Sequence, residues 1–206
     1  MNNDIKELMS GILKDMSALN YIKPGDVPNI NLYMDQVTTF MYEHLHDTKR
    51  TTDDKVLTKT MINNYAKNNL LPPPVKKKYS REHMLLLVFI YYFKNMLSFH
   101  DIEALFAPIT EGHFMDASGL SLQDIYEEVF SMEYEQMKRL KEDLLRKFHA
   151  SEESFTDQKE DKDYLQLFTF ICALGFDVFL KKQAMEMLID QIREDYPVDH
   201  SKKKKS

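Results

Sequence analysis

Apolar residues recur every three or four positions along most of the chain, and this spacing is typical of amphipathic α-helices. Glycine is scarce, with five residues in 206, and few turn signals divide the chain into short strands. We therefore predict an all-α fold with at most a small β wing. The predicted helices span about residues 3–19, 33–46, 58–68, 80–96, 98–106, 121–148 and 162–195.

The third predicted helix has one apolar and one polar face. It lies in the stretch LTKTMINNYAKNNLLPPPVKKKYS, residues 57–80. Thr58 is a good N-cap, Asn69 suits a left-handed helix end, and the prolines at 72–74 prevent the helix from continuing. The lysines at 76–78 therefore follow on a stiff, extended segment. The apolar face consists of Leu57, Met61, Ile62, Tyr65 and Ala66, and the polar face of Lys59, Thr60, Asn63, Asn64 and Lys67.

Positive charge is concentrated around this stretch in an otherwise acidic chain. The whole sequence has a net charge of −6, whereas residues 51–81 hold seven basic and two acidic side chains and carry +5. The remaining residues therefore carry −11. A basic island on an acidic body indicates a local site for a polyanion such as nucleic acid, although a solvated lysine loop would give the same count.

The helix predicted at 80–96 has almost no polar face after Met84, so we expect the amino-terminal and carboxy-terminal helices to cover it. Its apolar run from Met84 to Phe93 has ten residues and is too short to span a bilayer. The single Cys172 excludes an internal disulfide, and no signal peptide is recognised. We expect a cytoplasmic protein without a membrane partner.

The order of a helix, a polar helix, a basic extended segment and an apolar helix is that of a winged helix-turn-helix. In detail the segment resembles the MerR type. Residues 63–65 stand where Arg-Tyr-Tyr is usual, residues 69–73 match a Gly-Leu-Leu-Pro turn, and residues 78–80 match the exit of the wing. The likeness covers about residues 34–106. Further matching positions are Met84, Leu87, Phe89, Ile90, Ser98, Phe99 and Ile102.

Taken whole, the sequence is similar to the bacterial domain-of-unknown-function family 1836, which carries this MerR-like segment. The resemblance implies a transcriptional regulator that binds double-stranded DNA, with no established target. The helix at 58–68 would enter the major groove, and the lysine wing at 75–79 would lie on the DNA backbone. The implied DNA-binding residues are Lys59, Thr60, Asn63, Asn64, Lys67, Lys76, Lys77, Lys78 and Tyr79.

Asn63 departs from the family pattern, because it replaces an arginine that usually contacts phosphate. An amide can pair with the major-groove edge of adenine, so the substitution shifts the expected target toward adenine. Five or six lysine–phosphate contacts would make the affinity fall with salt at a log–log slope of about −5.

Four segments are predicted. Residues 1–30 supply an amino-terminal helix on the core, residues 31–108 the winged domain, residues 109–196 a helical dimerisation or effector region, and residues 197–206 a basic disordered tail. The resemblance implies a homodimer. The helix predicted at 121–148 either pairs across the two-fold axis or packs within one chain. Phe168, Phe170, Phe176 and Phe179 could line an effector pocket, but such residues are more often plain core.

Catalytic and metal chemistry finds little support. His44 and His46 are two positions apart and point in different directions on a helix, and Cys172 lies among apolar residues. No phosphate-binding glycine loop or nucleophile elbow is present. We expect no enzyme activity, no catalytic residue, no metal and no cofactor. The alternative to a DNA-binding protein is a protein-interaction or ligand-sensing helical module that keeps the winged scaffold.

Overall fold

A computed structural model describes residues 3–18, 22–114 and 119–197, and within them the protein is mostly helical. The all-α prediction is confirmed. The helices are α1 (Asn3–Ala18), α2 (Met34–Leu45), α3 (Lys59–Lys67), α4 (Arg81–Phe93), α5 (Phe99–Gly112), α6 (Leu122–Ser131), α7 (Glu133–Glu152) and α8 (Lys162–Asp195). Two short strands, β1 (Leu32–Tyr33) and β2 (Lys78–Tyr79), form an antiparallel pair.

The long helix predicted at 121–148 is divided at Met132 into α6 and α7. The apolar spacing continues across this residue, so periodicity could not reveal the break. The two helices bury their apolar residues in different cores, Tyr126 of α6 in one and Phe148 of α7 in the other. The fifth helix extends to Gly112 through Pro108, because one missing backbone donor weakens a helix without always ending it.

The chain forms two compact units. The first contains the described residues 3–18 together with 129–183. Its core is built by Met9 of α1, Phe148 of α7 and Phe170 of α8, with the two phenylalanine rings 5.4 Å apart. The helix α1, predicted within an amino-terminal segment 1–30, thus belongs to the unit that contains α7.

The second unit contains the described residues of 22–128 and residues 184–197. Its centre is α4, where all residues from His83 to Ile90 are buried. Phe89 packs against Phe106 and Tyr126, with ring centroids 5.7 and 5.2 Å apart. Burial of each large apolar side chain contributes about 1.5–3 kcal/mol, so this helix is the main stabilising element of the unit. The burial predicted for α4 is confirmed, and of the two helices expected to cover it the carboxy-terminal end of α8 lies in the same unit.

Residues at the carboxy-terminal end of α8 complete the second unit. Ile189 is buried, and the Arg193 guanidinium forms an ion pair with Asp101, 2.5 Å away, in the first turn of α5. Partial burial opposes ionisation of Asp101, but hydrogen bonds from Ser98 and Arg193 outweigh it and lower the pKa of this carboxyl. The basic tail predicted at 197–206 lies, after residue 197, outside the described residues.

Candidate nucleic-acid interface

The helix α3 begins and ends as its sequence predicts. The Thr58 hydroxyl accepts a hydrogen bond from the Met61 amide at 3.2 Å and caps the helix. At the other end Asn69 adopts a left-handed conformation with φ of 60°. The amides of Leu70 and Leu71 then donate to the Tyr65 carbonyl at 2.9 and 3.2 Å, which turns the chain away from the helix axis.

The two faces of α3 have opposite environments. Ile62 and Tyr65 are buried in the core of the unit, and burial raises the pKa of Tyr65. The polar side chains on the other face lie at the surface, where they can reach a ligand. The exposed residues are Lys59, Thr60, Asn63, Asn64 and Lys67.

One of these charges is already paired. The Lys59 ammonium forms an ion pair with the Asp35 carboxylate in the first turn of α2. Both side chains are more than half exposed, so the pair contributes little to stability and can be exchanged for another anion. Lys59 is therefore a weaker phosphate-binding candidate than Lys67.

The wing ends in a two-residue turn formed by Lys76 and Lys77. Val75 and Lys78 exchange both backbone hydrogen bonds, at 3.1 and 3.0 Å, and close the turn. Lys76 and Lys77 have φ values of 50° and 63°. Two consecutive left-handed residues are the pattern of a type I′ turn, where Asn-Gly is strongly preferred. Each lysine here costs about 1–2 kcal/mol of backbone strain.

The base of the wing is held by β1, which precedes α2. Tyr33 pairs with Lys78 in the strand register, and the Lys78 ammonium lies 5.0 Å from the centre of the Tyr33 ring. Tyr33 is exposed and forms part of the same surface, although the sequence did not suggest it. Its position depends on a pairing between residues 45 positions apart, which no local spacing reveals.

Tyr79 requires a correction as a DNA-binding residue. Its side chain is only 3% exposed, and its ring meets the His83 ring edge-on at a centroid distance of 5.5 Å. Burial raises the pKa of the Tyr79 hydroxyl. Tyr79 therefore supports the wing from inside and cannot present its ring to a ligand.

His83 connects the start of the wing to its end. Its Nδ1 accepts hydrogen bonds from the Ser80 amide at 3.0 Å and the Ser80 hydroxyl at 2.9 Å. Since Nδ1 is an acceptor, Nε2 carries the proton and donates to the Pro72 carbonyl at 3.1 Å. Burial is the main cause that lowers the pKa of His83 and keeps the ring neutral.

The structure places all nine residues of the predicted site in the second unit, eight of them at least partly accessible. Arg81, counted with the basic island, instead turns inward and donates to the Pro24 carbonyl at 2.7 Å. The connection between α2 and α3 comprises residues 46–58, whereas a compact helix-turn-helix has three or four residues there.

The aromatic residues predicted to line a pocket or the core of α8 have different environments, and the described residues form no metal site. Their His, Cys, Asp and Glu side chains include no cluster able to hold a metal ion. Phe170 is buried in the core of the first unit, whereas Phe168, Phe176 and Phe179 are exposed. A groove of about 520 Å³ in this unit is lined instead by Gln136, Met137, Arg139, Leu140, Asp143 and Lys181.

Residues 22–129 match a family described as a domain of unknown function, DUF1836. The match covers more than half of the chain, and the protein belongs to this family. Its boundaries agree within one residue with the first segment of the second unit, so α3 and the wing lie inside the family domain, whereas α1, α7 and α8 lie outside it. No curated protein and no solved structure matches the chain.

Proposed function

We propose that this protein is a DNA-binding transcriptional regulator whose second unit acts as a MerR-like winged helix-turn-helix. The exposed face of α3 enters the major groove, with Thr60, Asn63 and Asn64 near base edges. Lys67 and the wing lysines contact phosphates and fix the position of the helix.

The observation that carries the proposal is the turn at Lys76 and Lys77. Its backbone conformation favours asparagine and glycine, yet two exposed lysines occupy it. Backbone strain of this kind persists only where the surrounding structure enforces it, and it clusters at functional sites. Two adjacent cations at the tip of a short hairpin are suited to a phosphate backbone, and the polar face of α3 in the same unit supplies hydrogen-bonding side chains for bases.

Selection of genomic DNA fragments by the purified full-length chain tests the proposal. We expect enrichment of a discrete sequence at near-physiological salt, and replacement of Lys76, Lys77 and Lys78 by glutamate should abolish the enrichment. The control replaces Lys14, Lys138 and Lys159, exposed lysines outside the basic island, by glutamate and should retain it. Absence of any enriched sequence, with and without cell extract as a source of effector, would instead favour the interaction module.

Asn63 and Lys67 should separate base recognition from phosphate binding. Asn63→Ala is expected to weaken binding to the enriched sequence at least about fivefold and to change non-specific binding little, because an amide–base pair discriminates by about 1–3 kcal/mol. Lys67→Gln should weaken binding to the enriched sequence and non-specific binding alike, by about fivefold at physiological salt. It should also reduce the salt slope of each by about 1. Fluorescence anisotropy with the two DNAs measures both effects. Equal losses for Asn63→Ala on both DNAs would remove Asn63 from base recognition.

A further inference from the structure

The helix α8 carries an exposed apolar stripe in the first unit. The stripe consists of Tyr164, Phe168, Ile171, Gly175, Val178 and Lys182, whose spacings alternate between four and three residues. An average spacing of 3.5 residues is the heptad pattern by which one helix packs along another. The four large apolar members are 53–65% exposed, so no part of the described chain covers them.

Contacts on the opposite side of α8 hold the stripe outward. Phe170 packs against Phe148, the Gln166 amide donates to the carbonyls of Glu152 and Ser154 at 2.6 and 3.0 Å, and Asp177 forms an ion pair with Lys147. Rotation of α8 to bury the stripe within the unit would break all of these contacts. The exposed face is therefore fixed by the packing of the helix.

Gly175 lies at the middle of the stripe. Glycine weakens a helix interior, and here nothing lies within 4 Å of the position that a Cβ atom would occupy. Packing within the chain therefore does not require this glycine. A missing side chain at the centre of an apolar stripe allows a second helix to approach closely.

By length and composition α8 could cross a membrane, since an 18-residue window within it has a mean hydropathy of 1.5. Its packing against α7 argues against a membrane as the partner of the exposed stripe. The helix α7 packs alongside α8 through Phe148 and Lys147, and half of its 20 residues are charged. Insertion of α8 would either carry these charges into the bilayer or strip α7 from its partner. Both are costly.

We propose that the stripe binds the same stripe of a second copy of this chain, with the two α8 helices antiparallel. The charges at its ends support this occupant. Residues 160–163 hold three acidic residues and one lysine, and Lys181 and Lys182 stand at the other end. In an antiparallel pair each acidic end meets a basic end, whereas a parallel pair would bring like charges together. The proposal is independent of DNA binding, since the stripe lies outside the family domain.

Sedimentation of the full-length chain over a range of concentrations tests the dimer. We expect a species of twice 24.4 kDa for the wild type. Ile171→Glu should raise the dissociation constant at least about 10-fold, because each interface then buries two unpaired carboxylates. The matched control is Ile30→Glu, which makes the same change at an exposed isoleucine of the second unit and should leave the dimer intact. Val178→Glu repeats the test if Ile171→Glu lowers the helix content measured by circular dichroism.

Disulfide trapping tests the antiparallel arrangement. In a Cys172→Ser background, a mixture of Tyr164→Cys and Lys182→Cys chains should give mainly the mixed disulfide, and Tyr164→Cys alone should give almost none. Strong self-linking of Tyr164→Cys would overturn the antiparallel pair. A monomeric wild type, or a dimer unaffected by both glutamate substitutions, would overturn the interface. A monomer that floats with phospholipid vesicles would show that a membrane covers the stripe.

Discussion

Replacement of Lys76 by Asn and Lys77 by Gly is expected to stabilise the protein by about 1–2 kcal/mol and, on the proposed function, to weaken DNA binding about 25-fold. The gain in stability comes from removal of left-handed strain at two positions, reduced by the greater freedom of glycine in the unfolded chain. The loss of affinity would follow from the two phosphate contacts proposed for these lysines, each worth about fivefold near 0.15 M salt.

Urea denaturation and anisotropy titrations at several salt concentrations measure these two effects. The salt slope should fall by about 2 with the two lysines removed. The control is the double variant Lys76→Gln with Lys77→Gln. It removes the same charges but keeps side chains for which the left-handed conformation of the turn is unfavourable. It should show the same loss of affinity without the gain in stability. A stabilised Asn-Gly variant that binds DNA as tightly as the wild type would contradict a role of the wing tip in binding.

Replacement of His83 by Leu is expected to lower the free energy of unfolding by about 2–4 kcal/mol at neutral pH. Leucine fills much of the space but leaves the Ser80 amide and the Pro72 carbonyl without their partner, and each unsatisfied group in a buried setting costs about 1–3 kcal/mol. His100→Leu is the control, because the side chain of His100 is 86% exposed, and it should change stability little. Urea denaturation at neutral pH measures both variants.

The same histidine should make stability depend on pH. Burial lowers the pKa of His83 in the folded state, so the unfolded chain binds the proton more readily. The contribution of the neutral ring is fully present above the unfolded pKa, near 6.5, and is lost as the pH falls through the lower folded value. The free energy of unfolding, measured between about pH 7.5 and about pH 5, should fall as the pH is lowered. The fall should be steeper for the wild type than for His83→Leu. Identical slopes would indicate that the ring is not held neutral by its surroundings.

Local sequence signals predicted most of the helices but not how they are grouped. The last helix is predicted at 162–195 and spans Lys162–Asp195. Its ends could be predicted because polar segments flank one long apolar run. By contrast, apolar spacing reports that a face is buried and not which partner buries it. The assignment of α1 to the unit of α7 and α8 depends on a core shared by Met9, Phe148 and Phe170, which are distant in sequence.

The residues of the candidate nucleic-acid interface were also predicted only where local spacing determines their position. The polar face of α3 was predicted, and those residues are exposed, since helical spacing alone decides which side chains share a face. Tyr79 was placed at the surface by resemblance, but in a strand of two residues there is too little alternation to show which side chain points inward. Tyr33 was missed because its position follows from strand pairing across the whole of α2 and α3.

The hydrogen bond from the Tyr126 hydroxyl to the Ile22 carbonyl joins two residues 104 positions apart, near the two ends of the family domain. Both residues are fully or almost fully buried, so this contact closes the domain on itself. A segment whose ends meet can be lengthened, shortened or exchanged without stretching the chain on either side. The DUF1836 segment of this protein is thus a closed loop of chain between α1 and α7, and any segment that replaced it would have to keep Asp101 for the ion pair with Arg193 of α8.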